Sequence, residues 1–470
     1  ERCTRPTTAD DCGRCRRLGL LCSTLRPPRK AGRRPKESRL DLDQPNVGNH
    51  SSACLEPRES RTYISSTNAR LPSEDIAKWI NLHEELSQNE KDSLLFLLDK
   101  PGILGCYVMG PTFQDDERRS LVALLPTALP VLKDACLAFA GALKLTYSDP
   151  HDVAKVDDEH TNLLHALAAI EILRSFPVCT PQDVAICLTL GTLLALFSYS
   201  AVGRGVYEIS QHCLSTARPF IEQGVLDVDT EPRLVYLTLQ EVMDCLVHRK
   251  MPSIRSPRHR LCSGRDVVDR HLGLCVPLLP YYHDLCVASH SLANTTDESY
   301  MALIKKQLSL IQDELEIWKP STPDQFLEKF TSTEVIHLLA QARLYRLAAL
   351  LVNHRLCYAF GTQDHQATIW ANEIMSELDL ARNVTNQPIR SVTLPFIAAA
   401  IEMQGTRARR QALQDTVMHV DQFTPAVQKA TKAFLTRVWR ERDDKVIISW
   451  FDSAYKPCVV LASIDMDLFR

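Results

Sequence analysis

From Pro72 onward, hydrophobic residues recur every three or four positions with polar residues between them. This spacing places the hydrophobic side chains on one face of an α-helix. The first such pattern begins at Ser73, a residue suited to capping a helix, and runs to about Leu98. Pro101 ends this pattern, and Pro130 opens the next clear one. Further helical patterns cover about 152–176, 205–223, 231–249, 281–293, 298–318, 323–360, 366–382, 391–403, 406–420 and 426–442.

Strand patterns are nearly absent, and the one plausible strand runs from Cys458 to Leu461. No period of about 20–50 residues recurs, so a regular solenoid is not predicted. Residues 250–280 contain several prolines and basic residues, which predict a long surface connection. The sequence therefore predicts an all-α fold, in which residues 73–470 form a large multi-helix body.

The longest uncharged run, Val184 to Gly203, has about the length of a membrane span. It contains several Ser and Thr residues, and the segment Thr180-Pro181-Gln182-Asp183 before it has the pattern of a helix cap in a soluble protein. The pattern favours a buried core helix over a membrane span. We therefore expect a soluble chain with no membrane partner.

Charge is distributed unevenly along the chain. Residues 1–40 contain twelve Lys and Arg against four Asp and Glu, a net charge of +8 in a chain whose total is −3, which leaves −11 on the remaining 430 residues. A basic arm on an acidic body indicates a polyanionic partner for the arm alone. Residues 26–72 are basic at first and rich in Pro and Ser, with little apolar periodicity, so we expect a disordered linker.

Four cysteines lie close together near the N-terminal end, at Cys3, Cys12, Cys15 and Cys22. Thiolates at such short spacing, among arginines, are typical of a structural zinc site. The alternatives are four unrelated thiols or a disulfide pair. Almost all the residues between the cysteines are polar or basic and do not bury thiols as a core. The spacing therefore favours a zinc site at these four residues.

The run Cys12-Gly13-Arg14-Cys15-Arg16-Arg17-Leu18-Gly19-Leu20-Leu21-Cys22, with Cys3 before it, resembles the second half of a fungal binuclear zinc cluster. In that family six cysteines hold two Zn²⁺ ions, and a short helix from the first half enters the major groove. The resemblance implies that Cys12 is a bridging thiolate. No counterpart of the first Cys-x-x-Cys or of that helix precedes Cys3, and the chain begins with Glu1. We therefore expect an N-terminally truncated cluster that holds at most one zinc.

The helical body resembles the regulatory domain that follows the zinc cluster in the same family. The similar segments are Asp134-Ala135-Cys136-Leu137-Ala138-Phe139-Ala140, Leu394-Pro395-Phe396-Ile397-Ala398 and Val438-Trp439-Arg440-Glu441-Arg442-Asp443, each of which is equally readable as packed helix core. The resemblance implies three parts: the C-terminal half of a DNA-binding domain at 1–25, the linker at 26–72 and a regulatory domain at 73–470.

No catalytic signature is present in the sequence. A Gly-rich phosphate loop, a Gly-x-Ser-x-Gly elbow and a His-Glu-x-x-His motif are all missing. Most cysteines from Cys106 onward have apolar neighbours, which indicates small buried hydrophobes in a reducing compartment. The sequence therefore predicts a protein that is not an enzyme.

The resemblance implies a zinc-dependent, sequence-specific transcription factor that acts on RNA polymerase II transcription in a fungal nucleus. The thiol spacing, the basic arm and the basic linker are the physical support for it. Its partners would be double-stranded DNA and, through the helical body, a second copy or transcriptional co-regulators. The alternative is a helical scaffold whose zinc knuckle binds another protein. The segment Gly32–Pro35 reads Gly-Arg-Arg-Pro, which differs in order from the Arg-Gly-Arg-Pro core of an AT-hook. The difference favours a phosphate-binding arm or a nuclear-import signal.

The predicted DNA-binding residues are Arg2, Arg5, Arg14, Arg16, Arg17, Arg29, Lys30, Arg33, Arg34 and Lys36.

Overall fold

The computed structural model describes residues 76–100, 102–147, 155–202, 206–227, 229–255, 268–420, 424–447 and 450. These residues form fifteen α-helices and no strand; one isolated antiparallel bridge joins Asp269 and Gly273. The prediction of an all-α fold is therefore confirmed. The strand predicted at 458–461 lies outside the described residues.

The helices, in chain order, are α1 (Ile76–Leu82), α2 (Gln88–Asp99), α3 (Pro111–Tyr147), α4 (Lys155–Ser175), α5 (Pro181–Phe197), α6 (Val206–Gln223), α7 (Glu231–His248), α8 (Leu279–Ala293), α9 (Glu298–Ile317), α10 (Phe326–Lys329), α11 (Ser332–Cys357), α12 (Asp364–Thr385), α13 (Thr393–Glu402), α14 (Thr406–His419) and α15 (Pro425–Asp443). Short 3₁₀ turns at Leu104–Cys106 and Val276–Leu278 precede α3 and α8, and a π-helical turn at Ser198–Val202 extends α5.

Helix α5 is the central helix of the N-terminal half. The Thr180 hydroxyl accepts the Asp183 backbone N–H at 3.2 Å, and the Asp183 carboxylate accepts the Thr180 N–H at 2.8 Å. This capping box starts the helix at Pro181, as the sequence indicates. From Val184 to Phe197 every residue of α5 is buried, because α3, α4, α6 and α7 pack around it. Gly191 allows the close contact with α6, where a Cβ atom would lie 2.3 Å from the Cys213 sulfur.

The C-terminal half is built around α11, which packs against α8, α9, α12 and α13. Its N-terminal cap also fixes it to α3. The buried Glu334 carboxylate accepts the Thr331 backbone N–H at 3.0 Å, and it accepts the backbone N–H and the hydroxyl of Thr112 at 2.9 and 3.0 Å. The beginnings of α3 and α11 are therefore held together by one carboxylate. Helix α8, which contacts both α7 and α11, is a second connection between the halves.

Three helical segments are long and apolar enough to cross a membrane by length and composition: Pro111–Tyr147, Pro181–Val202 and Ser332–Cys357. Their most apolar windows are 56%, 89% and 72% buried within the protein. The middle segment contains the uncharged run from Val184, and its surroundings agree with the predicted core helix.

Three predicted helix boundaries are wrong. The pattern from Ser73 to Leu98 forms two helices, because Ser87 and Glu90 make a capping box that starts α2. In the same way, Thr331 and Glu334 start α11 within the predicted helix 323–360. Pro130, by contrast, lies inside α3, as does Pro126. Helix α3 continues through both prolines because its buried stripe of leucines is continuous: Leu121, Leu125, Leu129 and Leu132.

The predicted surface connection at 250–280 is also wrong in part. Residues Val268–Cys275 are buried, although several of them are polar or charged. The Asp269 side chain accepts the backbone N–H groups of His271 and Leu272 at 2.8 and 2.7 Å, which satisfies this turn internally. Gly273, whose φ is +53°, closes the turn onto Asp269. Prolines and basic residues predict a surface loop, but internal hydrogen bonding allows this part of it to enter the core.

Candidate functional site

All the residues predicted to bind zinc or DNA precede residue 76 and lie outside the described residues. They are Cys3, Cys12, Cys15 and Cys22 for zinc, and Arg2, Arg5, Arg14, Arg16, Arg17, Arg29, Lys30, Arg33, Arg34 and Lys36 for DNA. Within the ranges that the structure describes, no group of three or more His, Cys, Asp or Glu side chains is placed to hold a metal ion. The zinc site therefore stays a prediction from the sequence.

The cysteines of the helical body are mostly buried thiols, as the sequence predicts. Seven described free cysteines are buried: Cys106, Cys136, Cys187, Cys213, Cys245, Cys275 and Cys286. Burial raises the pKa of Cys136 to about 12, although Arg233 lowers it. This thiol is therefore protonated at neutral pH and packs as a small hydrophobic side chain.

In the described part of the chain, the main polar site lies where two loops meet. One loop, residues 107–110, leads into α3, and the other is the buried turn after Val268. The Met109 backbone N–H donates to the Arg270 carbonyl at 2.9 Å, and His271 Nδ1 donates to the Tyr107 carbonyl at 3.2 Å. The rings of Tyr107 and His271 stack with their centroids 5.8 Å apart. These contacts order the side chains that surround a small cavity.

The cavity has a volume of about 30 Å³, which is room for about two water molecules. Five of the residues in its wall carry an aromatic ring: Tyr107, Tyr199, Tyr236, His271 and Tyr345. The His271 ring is 1% exposed, and its Nε2 has no hydrogen-bond partner in the structure. Because Nδ1 carries the proton donated to Tyr107, Nε2 is an acceptor. The cavity suits ordered water and leaves no room for a metabolite in this conformation.

A buried charge cluster shares Tyr107 with the cavity wall. Glu117 of α3 is 1% exposed and accepts the Tyr107 hydroxyl at 2.9 Å. The same carboxylate pairs with Arg233 of α7 and, at 2.8 Å, with Arg270. Two arginines and one tyrosine therefore share one carboxylate, which joins α3, α7 and the buried turn. Removal of one member would leave an uncompensated buried charge, which is strongly destabilising.

The charge states of this cluster follow from its surroundings. Burial raises the pKa of Glu117, but Arg233 and Arg270 outweigh it and hold that pKa at about 2. Burial, together with the Glu117 charge, raises the Tyr107 pKa well above its usual value. Burial also lowers the His271 pKa. At neutral pH the cluster therefore contains an ionised glutamate, a protonated tyrosine and a neutral histidine.

A second buried charge cluster joins α11 to the end of α13. The guanidinium of Arg355, 1% exposed, donates to the two carboxylate oxygens of Glu402 at 2.8 and 2.6 Å. Arg355 also donates to the Ala359 carbonyl at 3.1 Å and pairs with Asp364 at 3.0 Å. The indole N–H of Trp450 donates to Glu402 at 3.0 Å. Both charges are therefore buried with their hydrogen bonds satisfied.

A further buried titratable group, outside both clusters, is His419, the last residue of α14. Its ring is 2% exposed and lies against Phe396, with centroids 5.3 Å apart. Burial lowers the pKa of His419 to about 4; Asp415 raises it, and Arg382 lowers it. The folded protein therefore holds this imidazole neutral well below the pH at which an exposed histidine is charged.

We expect His419 to make the fold acid-labile between pH 6.5 and pH 4. The pKa of His419 in the folded protein lies below the ordinary histidine value of 6.5, so the unfolded chain binds the proton more tightly. Above pH 6.5 the neutral His419 ring costs no stability in either state. As the pH falls from 6.5 toward 4, the free energy of unfolding should decrease by about 3 kcal/mol, because the unfolded chain takes up the proton first. Urea unfolding at several pH values measures this loss, which H419Q should reduce. The exposed His365 supplies the control H365Q, which should keep the native pH profile; an equal change in both variants would contradict the assignment.

A comparison with known families finds a match in the part of the chain that contains most of these buried charges. Residues 232–460 match the family model described as Fungal specific transcription factor domain. The match supports a fungal regulatory domain and points to a regulator of transcription rather than an enzyme. No curated protein and no solved structure matches the chain.

The matched domain contains Arg233, the buried turn, the Arg355–Glu402 pair and His419. Glu117 and Tyr107 precede it, yet their contacts with Arg233 and His271 fix α3 against the matched domain. The helices before residue 232 therefore pack with the matched domain as part of the same core. The predicted regulatory domain at 73–470 is longer than the match, and its extent stays a prediction.

Sequence patterns did not reveal the buried charge clusters. One signal was available: Glu402 ends an almost entirely apolar segment that begins at Leu394, and an isolated charge in such a segment needs a buried partner. The partner, Arg355, lies 47 positions earlier in the chain. Because no local spacing links the two residues, only the fold identifies the pair.

Proposed function

We propose that this chain is a zinc-dependent, sequence-specific DNA-binding regulator of RNA polymerase II transcription, which acts in the nucleus of a fungus. The observation that carries the proposal is the match of residues 232–460 to a fungal transcription factor domain, in a chain that also has a cysteine-rich basic segment near residue 1. Neither feature alone is specific to such a regulator. Together, in this order, they are typical of a regulator that binds DNA through one part and is controlled through another.

In this proposal Cys3, Cys12, Cys15 and Cys22 hold zinc and fix the arginines around them. Guanidinium and ammonium groups meet phosphates readily, and such contacts supply affinity and orientation on the duplex. The matched helical domain receives co-regulators or a second copy of the chain.

We expect binding to duplex DNA to weaken steeply with salt. Engagement of about six basic side chains of the first 36 residues gives a slope of log affinity against log salt of about −5. A fluorescence anisotropy titration of the full chain at several salt concentrations measures this slope. Replacement of Arg33, Arg34 and Lys36 by alanine should make it shallower by about 3, because three phosphate contacts are lost.

The matched control removes three arginines from the helical body. Arg407, Arg410 and Arg440 are exposed, so their replacement by alanine changes the net charge by the same amount at a distance in sequence from the arm. This variant should keep the native slope. If it weakens binding as much as the arm variant does, or if the native chain binds without salt dependence, the cysteine segment is better explained as a protein-binding knuckle on a helical scaffold.

A further inference from the structure

Helix α9 has a hydrophobic stripe that its own fold does not cover. The buried face of the helix, Ile304, Leu308, Ile311 and Leu315, packs toward α8 and α11. A different side carries Leu303, Leu310 and Ile317, which are 50%, 55% and 78% exposed. Residues seven apart lie on the same side of an α-helix, two turns from each other. These three residues, called the α9 stripe, therefore form one exposed line along the helix.

Charged and polar residues flank the α9 stripe in an ordered way. On one flank lie Lys306 and Asp313, each three positions after a stripe residue. On the other flank lie Gln307 and Glu314, each four positions after one. All four side chains are exposed. The N-terminal half of the stripe therefore has a basic flank, and its C-terminal half is acidic on both flanks.

We propose that the α9 stripe binds the α9 stripe of a second copy of this chain, with the two helices antiparallel about a two-fold axis at Leu310. In this arrangement Leu310 meets Leu310 of the second copy, and Leu303 meets Ile317 of the second copy. Across a two-fold axis both chains contribute the same surface, so the hydrophobic and charged residues of α9 must be complementary to the same residues of the second copy. The hydrophobic residues meet this condition because they are evenly spaced around Leu310.

The flanking charges select the antiparallel orientation. In an antiparallel helix pair, each flank faces the same flank of the partner helix. Lys306 then lies opposite Asp313 of the second copy, and Gln307 lies opposite Glu314 of the second copy; symmetry repeats both pairs. In a parallel pair, opposite flanks face each other, which places Asp313 beside Glu314 of the second copy. Like charges in such positions repel, so the parallel arrangement is disfavoured.

This interface rests on the proposed function only in naming a second copy as a partner of the matched domain, which contains α9. Its geometry depends on the exposed side of α9 alone, so dimerisation measured without DNA tests it separately from DNA binding. Three hydrophobic residues from each copy make a contact below the standard size of protein interfaces. We therefore expect a reversible dimer whose population rises with protein concentration. Sedimentation velocity of the full chain over a concentration series measures it directly.

The variant L310E tests the two-fold axis. It places two carboxylates opposite each other at the centre of the stripe and should raise the dimer dissociation constant by at least about tenfold. The matched control is L380E on α12, where the leucine is 59% exposed and lies off the stripe. This control should dimerise as the native chain does. Circular dichroism and thermal melting of both variants show whether each remains folded.

A charge exchange tests the pairing itself. K306D and D313K alone should each weaken the dimer by about tenfold, because each places like charges opposite one another. The double variant K306D/D313K restores opposite charges and should return dimerisation to near the native level. A native chain that stays monomeric, a dimer that L310E leaves intact, or a double variant no better than the single ones would overturn the proposal.

Discussion

Replacement of Arg355 by methionine should lower the free energy of unfolding by about 3–5 kcal/mol, because it leaves the Glu402 carboxylate buried without its bidentate partner. Both side chains of the pair are 1% exposed, so water cannot replace the lost contacts. Urea denaturation of the full chain, followed by circular dichroism, measures the loss. The effect should be large because Arg355 connects α11 to α13 near the centre of the matched domain.

Two further variants separate this explanation from a general effect of losing an arginine. Arg343 lies on the same helix and pairs with Glu377 at 3.1 Å, but it is 54% exposed. R343M should therefore cost less than about 1 kcal/mol. The double variant R355M/E402L removes both buried charges and should be more stable than R355M alone. An R355M variant as stable as the native chain would show that the Arg355–Glu402 pair does not hold α11 and α13 together.

Replacement of Cys12 by alanine should abolish zinc binding, whereas the native chain should carry one tightly held zinc ion. Four thiolates are enough for one tetrahedral site and too few for two, and three thiolates leave that site incomplete. Structural zinc in small domains contributes about 10–16 kcal/mol, so its loss should also leave the cysteine segment without a folded state. Native mass spectrometry of the full chain measures the stoichiometry.

The chain offers a suitable control for this experiment. Cys179, an exposed free cysteine of the helical body, precedes α5 and is far in sequence from the cysteine segment. C179A should keep the zinc ion, which would separate loss of a ligand from loss of any thiol. Two tightly held ions in the native chain, or zinc retained by C12A, would contradict the assignment of ligands.

The local elements of the fold were largely predictable from the sequence. The capping residues before α5, Thr180 to Asp183, act within one turn of the helix, so their pattern predicts where that helix begins. The same physics placed helix starts at Ser87 and Thr331, inside patterns that periodicity alone had joined. Hydrophobic periodicity identifies a buried face. It does not show where one helix ends and the next begins when both pack on the same core.

The long-range contacts were not predictable in this way. Residues 268–275 lie in a segment whose prolines and basic residues predict a surface connection. In the structure Asp269 satisfies the turn internally and Arg270 pairs with Glu117. Glu117 lies more than 100 positions before its two arginine partners, on a helix whose sequence gives no sign of them. A buried charge depends on the element that packs against it, and a single sequence does not show which element that is.

The sequence by itself determined the helical class, the core position of α5 and the cysteine segment on which the zinc and DNA predictions depend. Each of these depends on spacing within about twenty residues, where backbone geometry decides which side chains share a face or a metal ion. Only the tertiary structure decided which charges are buried and paired, which side chains line the cavity and which side of α9 stays exposed. These features depend on helices that are distant in sequence and adjacent in space, so their energies arise only when the core is assembled.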